Sequence, residues 1–421
     1  MFKIITIMLI TILAVGIPAF AQTVKKGEPI VIGAPIPRAI AHGQGAEEAM
    51  ILAAEEVNAT GGIKFGDTMR PVKLEIIDTR DQEPGVPTSD VILALEKLIL
   101  GKKPHMILGG PNMSESAMAA LDLYAKHKTL SIHSIGAWTP AWHAKVGKDL
   151  ERYKYSFKIA GHVGFYMNEI DRLLQNIKGE LRYNKIYTTI ADAAHCRAAA
   201  DAVEKVAIKG GWEVVGKEIH PLGTTDFSML MRSIKQSGAQ VMFVWDHVSE
   251  AVMMARQWYD LKIPVLPLGL VDDIGDPGMW ERTNGKVGYI IGFGGEAGTL
   301  PNQEITTLTK PFFNAYKKRW GKEPRDVVCT PSYFGIYMVK EVIERAQSLD
   351  RDKLVSAIEN VDMMTISGRL RFDKSNHQAI YGDNPKEALL SQFFQWQDGK
   401  RICTWPKLIS TGMIQVPPWM K

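Results

Sequence analysis

The chain has 421 residues, 46% of them hydrophobic and 23% charged, a balance that fits a globular protein and excludes a disordered or fibrous one. Its 50 basic and 46 acidic residues leave a formal charge of +4 and are spread along the chain. No basic stripe marks a nucleic-acid partner, and none is expected. Three cysteines, Cys196, Cys329 and Cys403, are too few and too scattered for a disulfide scaffold or a zinc site. One bridge, for example Cys329 to Cys403, fits that count, and so do three buried thiols.

At the amino terminus, Lys3 precedes an apolar run from Ile4 to Ile17, then Pro18 and the small-x-small sequence Ala19-Phe20-Ala21. This order predicts an export signal over residues 1–21, cleaved after Ala21. The run is shorter than the ~20 residues needed to span a bilayer and lacks a basic stop-transfer flank. No cysteine follows the cleavage site, so a soluble periplasmic protein without a lipid anchor is expected. Removing 21 of 421 residues leaves 400, more than one core usually supports, and two lobes are predicted.

The mature chain opens with a strand (Pro29 to Gly33), a polar loop (His42-Gly43-Gln44-Gly45) and a helix ending Asn58-Ala59-Thr60-Gly61-Gly62-Ile63. Apolar runs of four to six residues then alternate with helical patterns, the mark of parallel α/β units. Strands are predicted at Val72 to Ile77, Met106 to Gly110 and Leu130 to Ile132, with helices at Thr88 to Leu100 and Ser114 to His127. A second series has strands at Lys185 to Ile190, from Trp212, Val241 to Trp245, Pro264 to Gly269 and Gly288 to Gly292. Its helices are Ala194 to Lys209, Phe227 to Gln236 and Ser249 to Tyr259. Helices at Ile305 to Arg319 and Pro331 to Gln347 follow, then antiparallel strands at Gly368 to Asp373 and Gln392 to Gln397. Two related series predict two doubly wound lobes with a ligand site at strand carboxyl ends, in the crevice between them.

Several pieces, taken in order, carry a family resemblance: Glu56-Val57-Asn58-Ala59-Thr60-Gly61-Gly62-Ile63 and Ile107-Leu108-Gly109-Gly110-Pro111-Asn112-Met113-Ser114-Glu115-Ser116 are the most specific. Thr225-Asp226-Phe227-Ser228, Gly238-Ala239-Gln240-Val241 and Phe394-Gln395-Trp396-Gln397-Asp398-Gly399 add to them. The chain resembles the periplasmic binding proteins of branched-chain amino acid ABC transporters, the leucine/isoleucine/valine-binding proteins, over essentially its whole mature length. The resemblance implies a type I periplasmic binding fold, an α/β architecture of two Rossmann-like lobes joined by three crossing segments. These are expected near Lys158 to Gly161, Gly292 to Gly294 and Thr365 to Gly368. Lobe one would then be residues 22–160 plus 294–365, and lobe two 161–293 plus 366–421.

In proteins like these, backbone N–H groups and hydroxyls at helix amino termini hold the solute carboxylate. The matching positions are Met113, Ser114, Glu115 and Ser116 in the second loop and Gly136, Ala137 and Trp138 in the third. Ala137 stands where the family has a hydroxyl, His42 where it has an aromatic residue, and Cys196 where it has a second-lobe tyrosine. The acidic partner of an amino acid's ammonium aligns with Val271, and Asp272 serves only if that loop shifts by one residue. A buried ammonium without a carboxylate would lose several kcal/mol to desolvation, so these departures point away from a zwitterion. His42, His133, His162, His195 and His247 fall on loops expected to face the cleft, beside Trp138, Trp142 and Trp245. Imidazoles and indoles suit an aromatic or apolar organic acid.

No Gly-x-Ser-x-Gly elbow, P-loop, dinucleotide fingerprint or His-Glu-x-x-His occurs, and no catalytic role, cofactor or metal is expected. The expected function is solute reception for an ABC importer: a small carboxylate-bearing molecule binds between closing lobes, and a monomer docks on a membrane permease. Branched-chain or other apolar amino acids are the solutes implied by resemblance, and aromatic or apolar acids those implied by the loop departures. A sensory receptor docking on a membrane kinase or chemoreceptor, or an amide or urea receptor, stays open as an alternative.

Overall fold

The computed structural model describes residues 25–83, 85–192, 194–246, 248–271, 274–325 and 327–421. The expected export signal over residues 1–21 lies outside them. The first series runs β1 (Lys25–Lys26), β2 (Ile30–Ile36), α1 (Ala41–Ala59), β3 (Ile63–Phe65), β4 (Thr68–Arg70) and β5 (Val72–Asp78). α1 is rich in Ala and Glu, strong helix formers, and the chain leaves it through Gly61 and Gly62, both at φ 102°. Then come α2 (Thr88–Lys97), β6 (Met106–Gly109), α3 (Ser114–His127), β7 (Ser131–His133), α4 (Ala141–Lys148), α5 (Leu150–Tyr153) and β8 (Ser156–Lys158).

α6 (Val163–Leu181) leads to the second series: β9 (Lys185–Ala191), α7 (Ala194–Lys209), β10 (Glu213–His220), α8 (Ser228–Ser237), β11 (Val241–Asp246) and α9 (Val248–Asp260). β12 (Leu266–Val271), α10 (Met279–Arg282) and β13 (Ile291–Glu296) complete it. The remainder is α11 (Thr309–Trp320), α12 (Cys329–Ala346), α13 (Arg351–Glu359), β14 (Met363–Thr365), β15 (Gly368–Leu370), β16 (Phe372–Asp373), β17 (Gln378–Ala379), β18 (Ser391–Gln397) and β19 (Lys400–Trp405).

Two seven-stranded sheets result, in the orders β16-β17-β8-β7-β6-β2-β5 and β10-β9-β11-β12-β13-β18-β19. Most of their inner strands run parallel, with β18 antiparallel between β13 and β19, and the parallel strands are buried on both faces, as all of β11 is. Alternate residues of β11 therefore serve two cores: Met242 and Val244 pack towards α8 and α9, while Val241, Phe243 and Trp245 pack towards α6 and α7. The first lobe's core joins Met50 of α1 and Leu108 of β6 to Phe334 and Ile343 of α12 and Leu354 of α13. Cys329 belongs to that core, Cys196 and Cys403 to the two cores of the second lobe, and all three keep their thiols.

Strand pairing and burial draw the lobes differently from the sequence expectation. Ala297, Leu300 and Ile305, expected in lobe one, are buried in a second-lobe core. Ile366, Leu370, Phe372, Ala379 and Leu389, expected in lobe two, fill the first core, because β16 and β17 extend the first sheet from β8. The last crossing therefore falls just before β18. α6 lies where the sequence reading has no element. It opens on Val163-Gly164, a weak helix start, and its cap is a histidine, with His162 Nδ1 accepting from Phe165 N at 3.3 Å.

One buried carboxylate gathers the crossings. Glu296, 1% exposed at the end of β13, accepts through Oε1 from Gly161 N on the first crossing (2.9 Å) and from the Tyr166 hydroxyl of α6 (3.1 Å). The Tyr381 hydroxyl, on the segment leading to the last crossing, sits between that same oxygen (3.0 Å) and Ile159 O (2.6 Å). Val328 N reaches Oε2 at 3.3 Å. Burial first, then the Glu296 charge, raises both phenols well above their usual range, so they stay donors. Glu296→Ala would orphan three buried donors, Gly161 N, the Tyr166 hydroxyl and Val328 N, while Tyr381 keeps Ile159 O. A stability loss of about 3–5 kcal/mol is expected in urea unfolding, and a smaller one for Glu296→Gln, which keeps an acceptor.

Candidate functional site

The candidate site lies where loops from the carboxyl ends of the first sheet meet α6 and β13. The second loop, after β6, and the third, after β7, interlock. A Cβ on Gly136 (φ 47°) would lie 2.2 Å from Asn112 Oδ1, so only glycine fits there. Ala137, also left-handed at φ 49°, donates its N–H to Asn112 O at 3.0 Å. That N–H is spent within the protein and is not an anion donor. Gly136 and Ala137 shape the third loop.

The second loop also has an internal tenant. Asp81, 7% exposed and beyond β5, accepts from Met113 N at 2.7 Å and from the Thr79 hydroxyl at 2.6 Å. Burial raises its pKa, against those hydrogen bonds and one from Asn112. Met113, expected to donate to a solute, is thus engaged by Asp81. Ser116 is buried, with its hydroxyl directed at Thr88 Oγ1 (3.5 Å) on α2, and Glu115 is exposed. Half-buried Ser114 has no hydrogen-bond partner for its hydroxyl among the described residues, and no side chain caps α3.

Trp138 is one of the residues where the lobes touch. Its ring is edge-on to Tyr166 (5.9 Å between centroids) and Phe293 (6.4 Å), and it packs against the cores of both lobes. His42, 3% exposed at the start of α1, lies 5.9 Å from the indole. The Trp138 Nε1 proton is buried with no acceptor among the described residues. Aromatic rings from both lobes and one buried donor without an acceptor among the described residues thus meet at this point.

Beside the first crossing, His162 faces His143 of α4 with ring centroids 4.5 Å apart. Lys158, fully buried, donates to Ala137 O, and His133 is its strand neighbour on β7. Cys196 is wholly buried in a second-lobe core, so its thiol does not replace the tyrosine hydroxyl of the expected motif. His195 occupies the first turn of α7, while His247 and Asp272 lie outside the described residues. Across the lobes, Arg325 bonds Asp276, in the loop after β12, and Gln44 Oε1 of α1 at 2.9 Å.

Asp81, His143, Lys158 and this Arg325 clasp escaped the sequence reading. Asp81 alone carried a signal, a carboxylate placed just past a strand's carboxyl end. Among the described residues, no group of three or more His, Cys, Asp or Glu side chains is arranged to hold a metal.

With this geometry in place, the comparisons with known proteins identify the class. A family model for periplasmic binding proteins matches residues 37–399, and the chain belongs to that family. It is 23% identical over 377 residues to a Leu/Ile/Val-binding protein homolog of Brucella abortus, covering 87% of each chain. Its fold matches the branched-chain amino acid transporter substrate-binding protein of Streptococcus pneumoniae in complex with isoleucine, with TM-score 0.70, 17% identity and coverage of 89% and 97%. It also matches a solute-binding protein of an ABC transporter from Rhodopseudomonas palustris in complex with 3,4-dihydroxybenzoic acid, with TM-score 0.68, 16% identity and coverage of 89% and 95%. The family and these similar structures are substrate-binding proteins. Among the described residues, no helix is long and apolar enough to cross a membrane.

Two consequences are measurable. Burial, then the Lys158 charge, pushes His133 down to about 3, whereas an unfolded imidazole takes its proton near 6.5. Between those values the unfolded chain binds the extra proton, so acidification destabilises the fold. His133 alone accounts for up to about 1.4 kcal/mol per pH unit. Urea midpoints should fall as pH drops from about 6.5 towards about 4, less steeply in His133→Gln. Arg325→Gln should weaken solute binding about tenfold by loosening the closed form, with circular dichroism unchanged.

Proposed function

We propose that the chain is an extracytoplasmic receptor that binds a small aromatic or apolar carboxylate between two closing lobes and delivers it to a membrane permease. It acts as a monomer after cleavage behind Ala21. The observation that carries the solute class is the wall formed by Trp138, Tyr166 and Phe293, with His42 against the same indole. A flat apolar ring fits such a wall, and the Trp138 N–H suits a polar substituent on it. The resemblance to a fold solved with 3,4-dihydroxybenzoic acid supports this class, and the isoleucine complex supports a carboxylate.

The carboxylate end belongs at α3. The N–H groups of Ser114, Glu115 and Ser116 begin that helix with no acceptor among the described residues, and the Ser114 hydroxyl stands beside them. An amino acid's ammonium is less well served. Asp81 and Glu296, the buried carboxylates near these loops, are already committed to protein donors. Binding to both lobes favours the closed form by its differential affinity, and that is how the solute signals its presence to the permease.

A thermal-shift panel of benzoate, 3,4-dihydroxybenzoic acid, leucine, valine and isoleucine tests this reading. A ligand at about a thousand times its Kd stabilises by roughly 4 kcal/mol, a clear rise in Tm. Aromatic acids should produce it, and a rise with aliphatic amino acids alone removes the aromatic assignment. Trp138→Ala should abolish the shift. Ser114→Ala should cost about fivefold to tenfold in affinity, whereas Ser116→Ala, whose hydroxyl faces Thr88, should leave affinity unchanged.

A further inference from the structure

Lys158 ends β8, with His133 beside it on β7 and Gln378 beside it on β17. Its side chain is fully buried. An ammonium carries three protons, yet among the described residues this one has a single acceptor, Ala137 O, and a distant aromatic face, Trp142, at 5.9 Å. Among the described residues no carboxylate reaches ion-pair distance of it. A charge so placed is under-compensated, and the third loop, which lines the cleft, is what it holds.

The groups around it do not supply the missing anion. His133 from β7, His143 from α4 and His162 at the cap of α6 are basic, and each has its pKa lowered by burial and by the Lys158 charge. Glu296 from β13 acts on Lys158 from a distance, and its oxygens are already bonded to Gly161, Tyr166, Tyr381 and Val328. Gln378 turns its amide to Ala160 O at 2.9 Å, and Asp373 acts on His143. Burial, opposed by Glu296, brings the lysine down to about 7.

Ala137 ties this charge to the site loops: its carbonyl accepts from Lys158, and the N–H of its preceding peptide unit donates to Asn112 O, next to the start of α3. We propose that Lys158 is a positioning residue for anion selection: it aligns the third loop through Ala137 and sets a positive charge behind it, so that a carboxylate is preferred over an uncharged isostere and its binding draws a proton onto the lysine. This rests on the solute being a carboxylate. The sign of the coupling follows from the lysine's poise. Below about pH 7 the free protein is already protonated and binding takes up little; above it, binding takes up as much as one proton, and affinity falls by up to about tenfold per pH unit.

The test is calorimetry of the mature protein with benzoate, isoleucine and benzamide at about pH 6 and about pH 8.5, in buffers of different ionisation enthalpy. Benzoate should bind with proton uptake at the higher pH and almost none at the lower, and benzamide should bind weakly with no uptake at either. Lys158→Gln should lose at least about tenfold in benzoate affinity at about pH 6 together with the uptake at the higher pH, while Lys158→Arg should restore affinity and show no uptake, because a guanidinium stays charged. Uptake by the unmutated protein needs no variant to fold. Benzoate affinity equal at both pH values, with no uptake, overturns the proposal. If isoleucine binds and benzoate does not, the aromatic reading falls, and the same two pH points with isoleucine decide the role of Lys158. If no carboxylate binds, both fall.

Discussion

The arrangement depends on a single buried carboxylate. A receptor that closes over its solute needs crossing segments that bend together, yet each exposes backbone and hydroxyl groups that must find partners away from water. Glu296 gathers those needs at one point, joining the first crossing through Gly161 and α6 through Tyr166, with Tyr381 from the approach to the last crossing. Its own charge is tolerable in the interior because neutral donors surround it. The lobes can then pivot about a fixed polar knot while the packed sheets on either side remain rigid.

Around that knot the cleft is divided by chemistry. The wall centred on Trp138 offers apolar surface and one waiting donor, and α3 offers a helix start that the protein leaves open. Asp81 occupies the neighbouring N–H groups of the second loop. That internal carboxylate ties the second loop to the segment just beyond β5. Lys158 and its imidazole neighbours lie behind the third loop, which Ala137 ties to Asn112.

Much of the scaffold was legible in the sequence because local and tertiary preferences agree there. Ser114–His127 and Ala194–Lys209 are helices over the expected residues, and the buried strands of both sheets fall within a few residues of the apolar runs. The site was legible as loops and far less as atoms. His42 and Trp138 do meet, but Met113, Ala137 and Ser116 direct their donors to Asp81, Asn112 and Thr88. Which N–H is spent internally depends on contacts tens of residues away, and no local pattern encodes them. Lys158 was read only as a stretch of crossing backbone, since nothing next to it in sequence reveals that its side chain is buried beneath another loop. α6 was missed for a local reason, its Val-Gly opening and histidine cap.

The order in which the chain builds its cores has a further consequence. The first lobe begins at β2, yet its interior is incomplete without α12, α13 and Phe372, and the second lobe's interior requires Phe394, Trp396 and Cys403. The largest core of the first half and the α8/α9 core of the second are therefore complete only when almost the whole polypeptide is available, while smaller clusters such as that between Leu95 and Tyr124 close locally. Contacts this distant in sequence make folding slow, because long loops must close before any burial rewards them. A chain emerging from its amino terminus would therefore complete neither of these main cores until its last segment was available.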